Sequence, residues 1–192
     1  MKSYEFSAVL LAGGRSTRMG RDKASVEFAG EPLWRRQLAT LRATGADELL
    51  ISGRTDGPYA EGGVRIIEDI SPDAGPLAAL EAVLPRITTA CAIVLAIDLP
   101  AMHADFLTVM VKIALEKNRS VVPEFGGLFE PLAAVYAPDI LPLVVSHLRG
   151  PDRSMQHFLR AAAKAGLVIA HPLKRDELAL FRNLNSPEDI AG

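Results

Sequence analysis

Short apolar runs alternate along this chain with segments of helical period, and the alternation predicts an α/β protein: a three-layer α/β/α sandwich around a mostly parallel sheet. Two further observations support that class. The strand-like runs are nearly continuous in apolar residues, as parallel strands covered on both faces are. Hydrophobic residues make up 49% of the 192 residues and mean hydropathy is +0.18, which suits a packed core rather than disorder. No internal repeat or low-complexity tract interrupts the pattern, so a single domain over residues 1–192 is expected.

The elements follow in order. "FSAVLLA" is the first strand. Pro32 opens a helix in which Trp34, Leu38 and Leu41 recur at helical spacing, and Gly45 stands where a helix end favours a left-handed residue. "ELLIS" and "VRII" are strands two and three; "GPLAALEAVLPRI" is a helix opened by Pro76 and closed near Pro85. "CAIVLAI" predicts a strand near the centre of the sheet. A helix from about Asp105 to Lys117 follows, then the strand "SVVPEF", a turn at Gly126-Gly127 and the strand "LAAVYA". The segment Val121 to Val135 is the place for an antiparallel portion. Helices from about Ile140 to Leu148 and Ser154 to Ala165 precede the strand "LVIAH". In the closing "NLNSPEDI", Ser186, Pro187 and Asp189 resemble an N-cap, an N1 proline and an N3 carboxylate.

In open α/β sheets ligands gather at the carboxyl ends of the parallel strands. Three features fall there: the stretch "LLAGGRSTRMGRDKA" after strand one, Asp69 after "VRIIE", and Asp98 after "CAIVLAI". The first carries Gly13, Gly14 and Gly20, more glycine than chain reversal requires, with Arg15, Arg18, Arg21 and Lys23 against a single Asp22. Close backbone approach combined with cations suits a phosphate group. The net charge of −2 offers no general attraction to nucleic acid or anionic membrane, so the cations are a local feature and the ligand is small. The spacing matches neither G-x-G-x-x-G nor G-x-x-x-x-G-K-[ST]. A solvated basic turn is the alternative.

Asp98 ends an apolar strand ahead of Leu99-Pro100. A carboxylate there is costly unless it caps a helix or meets a cation. Mg²⁺ is the fitting cation, since it takes one or two carboxylates plus water and substrate phosphate. Asp69 lies in the acidic "EDISPD", where a plain loop role competes with contact to nucleotide or metal. Cys91 is the only cysteine, which excludes an internal disulfide, and its apolar neighbours predict a core thiol. His103, His147, His157 and His171 lack the i, i+4 partnering of helical zinc sites and are expected in surface or packing roles. No G-x-S-x-G elbow occurs. The apolar part of the N-terminus is too short for a signal peptide, and no run reaches membrane-spanning length, so a soluble cytoplasmic protein is expected.

"LLAGGRSTRMGRDKA" resembles the signature L-A-G-G-x-x-x-R-M-G-x-D-K of the MobA-like nucleotidyltransferases. "EPLW", "IED", "GPLAA" and "IDLP" agree in order, and "NLNSPEDI" is similar to the family's closing N-x-N-[ST]-P-E-[DE]. The resemblance implies a Rossmann-like fold of the nucleotide-diphospho-sugar transferase type. It implies an enzyme that moves GMP from GTP to the terminal phosphate of molybdopterin and releases pyrophosphate, with Mg²⁺ as cofactor. Carried over by position, Leu11, Ala12 and Gly13 meet the nucleotide, Gly14 and Arg18 shape the phosphate loop, and Lys23 neutralises phosphate charge. Asp69 contacts the nucleotide, Asp98 holds Mg²⁺, and Asn183 and Asn185 lie on the pterin side.

Two positions depart from the family pattern. Ile51 stands where the family has an asparagine near the base, leaving Ser52 as a substitute, and Ala79 replaces the last glycine of "GPLAG". Phe129 and Tyr136 are read as core packing, with flanking of a pterin as the alternative. GTP and molybdopterin are the implied small-molecule partners, with transient contact to proteins of molybdenum cofactor biosynthesis or acceptor proteins, and with neither nucleic acid nor membrane. The rival readings are a transferase using CTP or a sugar-phosphate acceptor, and a nucleotide-binding relative without catalysis.

Overall fold

The computed structural model describes residues 5–13, 26–68, 70 and 75–184. Its centre is β1 (Ser7–Leu11), in which all five residues are buried. The absence of any polar-out alternation is explained by its neighbours. β4 (Glu48–Ser52) lies parallel on one side and β6 (Ala92–Ala96) parallel on the other, so Leu11 faces Ser52 across one ladder and Ala96 across the other. A two-stranded ribbon, β2 (Glu27–Phe28) and β3 (Glu31–Pro32), precedes α1 (Leu33–Ala43). β5 (Arg65–Ile67) extends the sheet in parallel beyond β4.

Beyond β6 the sheet continues with one reversed strand. β9 (Ala133–Tyr136) runs antiparallel to both β6 and β7 (Ser120–Phe125), so β7 points the same way as β1. β10 (Val168–Pro172) pairs in parallel with β7, and β8 (Leu128–Phe129) folds back on β7 across the Gly126-Gly127 turn. The order is β5-β4-β1-β6-β9-β7-β10. The expected antiparallel portion within 121–135 is therefore present in β9, with the short β8 added to it.

The helices complete the sandwich. α1 packs on β1 and touches α3 (Ala104–Lys117), which lies over β7 and β9. On the opposite face α2 (Pro76–Val83) covers β1 and β4 and touches α4 (Leu141–Arg149), which meets α5 (Met155–Lys164). Local chemistry sets the ends. Gly45 at φ +77° follows α1, Pro76 occupies the first turn of α2, and the Ser154 side chain accepts from the His157 N–H at the start of α5. Among the described residues no helix is long and apolar enough to cross a membrane.

Candidate active site

The chain leaves β1 for β4 on one side and later returns to β6 on the other. β1 and β6 end side by side, Leu11 opposite Ala96, at the carboxyl edge where an open α/β sheet takes a ligand. Three parts of the chain meet at this carboxyl edge.

The first is the end of β1. The N–H groups of Ala12 and Gly13 both donate to the Ser52 carbonyl, at 2.8 and 3.0 Å, and the Ile97 N–H donates to the Leu11 carbonyl at 3.3 Å. Leu11 and Ala12 are buried, so Gly13 is the first exposed residue of this loop. The Ala12 and Gly13 donors are thus already engaged within the protein. Gly14, Arg18 and Lys23, assigned to that role from the sequence, lie outside the described residues, as does Asp69.

The Ala12 carbonyl accepts from the Tyr59 hydroxyl at 3.1 Å. Tyr59 is buried, stands edge-on to Trp34 with ring centroids 5.7 Å apart, and presses on two glycines. A Cβ at Gly57 would lie 2.3 Å from Tyr59 Cε2, and one at Gly53 3.3 Å from the same atom. Sequence reasoning missed this residue. Its signal was an aromatic immediately after Gly57-Pro58, which reads as a turn rather than as a support for a loop 47 positions earlier. The same 53–59 loop is tied to the end of β5, since the Thr55 N–H and hydroxyl donate to Glu68 Oε1 at 3.0 and 2.7 Å. The Thr55 hydroxyl, then its N–H, hold the Glu68 carboxyl below its ordinary pKa.

The second part is the turn after β6. Asp98 is half-buried there with its Oδ1 shielded from solvent. Its carbonyl accepts from the Leu184 N–H at 2.9 Å, the Leu99 carbonyl from the Met102 N–H at 3.0 Å, and the Pro100 carbonyl from Arg36 Nε at 2.9 Å. The third part is the closing segment that supplies Leu184. It brings exposed Asn183 to within one residue of the Asp98 contact; Asn185 lies outside the described residues. Glu130 is half-buried between β8 and β9, and burial raises its carboxyl above the ordinary pKa.

The donor chemistry fits Mg²⁺. Among the described residues no group of three or more His, Cys, Asp or Glu side chains is placed to hold a metal. A lone hard carboxylate such as Asp98, completed by water and substrate phosphate, is the arrangement Mg²⁺ favours over an all-protein cage.

Ile51 is wholly buried in β4, while Ser52, also buried, stands beside the end of β1 and uses its carbonyl to hold the β1 loop. The remaining residues weighed from the sequence pack elsewhere. Tyr136 is wholly buried, its phenol pKa raised by burial and its hydroxyl donating to the Pro131 carbonyl, while Phe129 is 8% exposed. Both are packing residues. Cys91 is a core thiol pushed up to about 12 by burial. His103 caps α3 by accepting from the Phe106 N–H, His157 pairs with Asp152 and faces His147, and His171 rests edge-on to Phe106.

A family model described as the MobA-like NTP transferase domain matches residues 8–168. A probable molybdenum cofactor guanylyltransferase of Opitutus terrae is 36% identical over 186 residues, spanning 95% of this chain and 92% of that one. A molybdenum cofactor guanylyltransferase of Pseudomonas putida is 32% identical, with 96% and 95% covered. The crystal structure of molybdopterin-guanine dinucleotide biosynthesis protein A from Archaeoglobus fulgidus superposes with a TM-score of 0.77 at 24% identity, covering 96% of this chain and 95% of that chain.

Proposed function

The chain belongs to the family of MobA-like NTP transferases, and from that premise we propose that it transfers GMP from GTP to the terminal phosphate of molybdopterin. The bond formed joins an oxygen of that phosphate to the α-phosphorus of GTP, and the bond broken is the α–β anhydride, releasing pyrophosphate. One observation carries the reading. The end of the "LLAGG" strand, the Asp98 turn and the closing segment at Leu184 meet at one carboxyl edge, in a chain whose relatives named as guanylyltransferases match it over nearly its full length.

The nucleophile needs little help. A phosphate monoester is largely ionised at neutral pH, its second pKa being about 6, so no strong general base is required. The protein's work is to align two anions and offset their repulsion. Asp98 is the residue to hold Mg²⁺. When bound, the metal neutralises charge developing at the α-phosphate and on pyrophosphate. Gly14 and Arg18 shape the phosphate loop and Lys23 supplies a point charge to the phosphates. Asp69 meets the nucleotide, and Asn183 and Asn185 face the pterin. With Ile51 inside the core, guanine is read by backbone groups near the ends of β1 and β4 rather than by a side chain at that position.

Pyrophosphate release, measured with molybdopterin, Mg²⁺ and GTP, CTP or ATP in turn, tests the proposal. Turnover selective for GTP is expected. Selectivity for CTP would place the protein with cytidylyltransferases, and release with none of the three would leave a nucleotide-binding protein without catalysis.

A further inference from the structure

The Asp98 turn is held by more than its own backbone. Gln37, on α1, is wholly buried. Its Nε2 donates to the Leu99 carbonyl and, at 3.4 Å, to the Ala96 carbonyl, while the adjacent Arg36 donates from Nε to the Pro100 carbonyl at 2.9 Å. With the Leu184 N–H on the Asp98 carbonyl, the three successive carbonyls 98, 99 and 100 each receive a donor from outside the turn. Two of these come from neighbouring residues of one helix that otherwise contributes Leu33, Trp34, Leu38 and Leu41 to the core.

Gln37 is an odd choice for the core alone. Its Oε1 is buried and has no hydrogen-bond partner among the described residues, an arrangement that costs stability. An unbranched apolar residue such as methionine would fill the same volume without that cost. Nor does the turn need Gln37 merely to exist, since the Met102 N–H already satisfies the Leu99 carbonyl. What the Nε2 group adds is a fixed link from α1 to both sides of Asp98, at Ala96 and Leu99.

We propose that Gln37, supported by Arg36, is a positioning residue: its amide links α1 to the carbonyls on both sides of Asp98 and so sets the affinity of the site for a divalent cation bound with the nucleotide. The proposal rests on the reading above, in which Asp98 holds that cation. Groups that orient a metal ligand from behind typically change metal affinity ~10–100-fold when removed.

The test uses the full chain. Mn²⁺ is titrated in the presence of saturating GTP, without acceptor, and followed by electron paramagnetic resonance; amide hydrogen exchange is measured over residues 96–102. For Gln37→Met the expected result is a Tm equal to or above wild type, Mn²⁺ affinity lower by at least ~10-fold, and faster exchange confined to 96–102. Arg36→Ala, a change at a half-buried position, gives a smaller loss in the same direction. Wild-type affinity and exchange in Gln37→Met overturn the proposal, as does a loss of affinity accompanied by faster exchange throughout β1 and β6, which would make Gln37 a packing residue. Wild-type protein that takes up no Mn²⁺ with GTP brings down the functional reading itself.

Discussion

At Ala12 both backbone groups are held by distant partners, the N–H by the Ser52 carbonyl and the carbonyl by the Tyr59 hydroxyl. Removing a donor from a buried carbonyl costs about 1–3 kcal/mol. Tyr59→Phe should therefore lose stability of that order in urea titration and raise the KM for GTP, because the loop that begins at Gly13 starts from this anchor. Matching midpoints and KM values in the two proteins would show that the hydroxyl anchors nothing. Asp98 has a different kind of importance. Its carbonyl carries the structural bond to Leu184, so Asp98→Asn keeps that backbone contact while removing the carboxylate charge. The variant should stay folded, yet release no pyrophosphate at any Mg²⁺ concentration. Retained turnover across a magnesium titration would take the metal away from Asp98.

The loop of residues 53–59 ties two strand ends together, β5 through Gly53 to Ile67 and Thr55 to Glu68, and β1 through Tyr59 to Ala12. Its weak point is Gly57, where a methyl group would sit 2.3 Å from a buried ring edge. Overpacking of this kind costs about 1–3 kcal/mol. Gly57→Ala is expected to lower Tm and weaken GTP binding together, by displacing Tyr59; a variant as stable as wild type would mean that the ring moves freely. Elements of this size also mark the limit of what the sequence discloses. β1 and β6 were legible because burial on both faces writes itself as a nearly unbroken apolar run, and α1 because Trp34, Leu38 and Leu41 keep helical period beside Pro32 and Gly45. The ribbon β2–β3, strand β8 and the 3-10 segment Arg175–Phe181 were not, being too short or too polar to express a period. At the site, Gly13 and Asp98 announce themselves by standing at the ends of apolar strands. Tyr59 and Gln37 do not, because each acts through side-chain contacts to residues more than forty positions away.

Across the whole molecule the sheet separates two environments at its carboxyl edge, the β1–β4–β5 side with its exposed Glu68 and the β8–β9 side with half-buried Glu130. Burial raises the Glu130 pKa above 4.5 in the folded state. The native protein therefore binds more protons than the unfolded chain between 4.5 and that raised value, and stability falls as pH rises through the window. Glu130→Gln should accordingly raise Tm at neutral pH, with the gain vanishing below 4.5. A gain that persists in acid would assign it to something other than the buried charge. The bond between Leu184 and Asp98 ties the Asp98 turn to the last described residue of the chain. Every described strand through β10 precedes residue 184, so a chain shortened just before Leu184 keeps all of those strands and loses one of the turn's three outside donors.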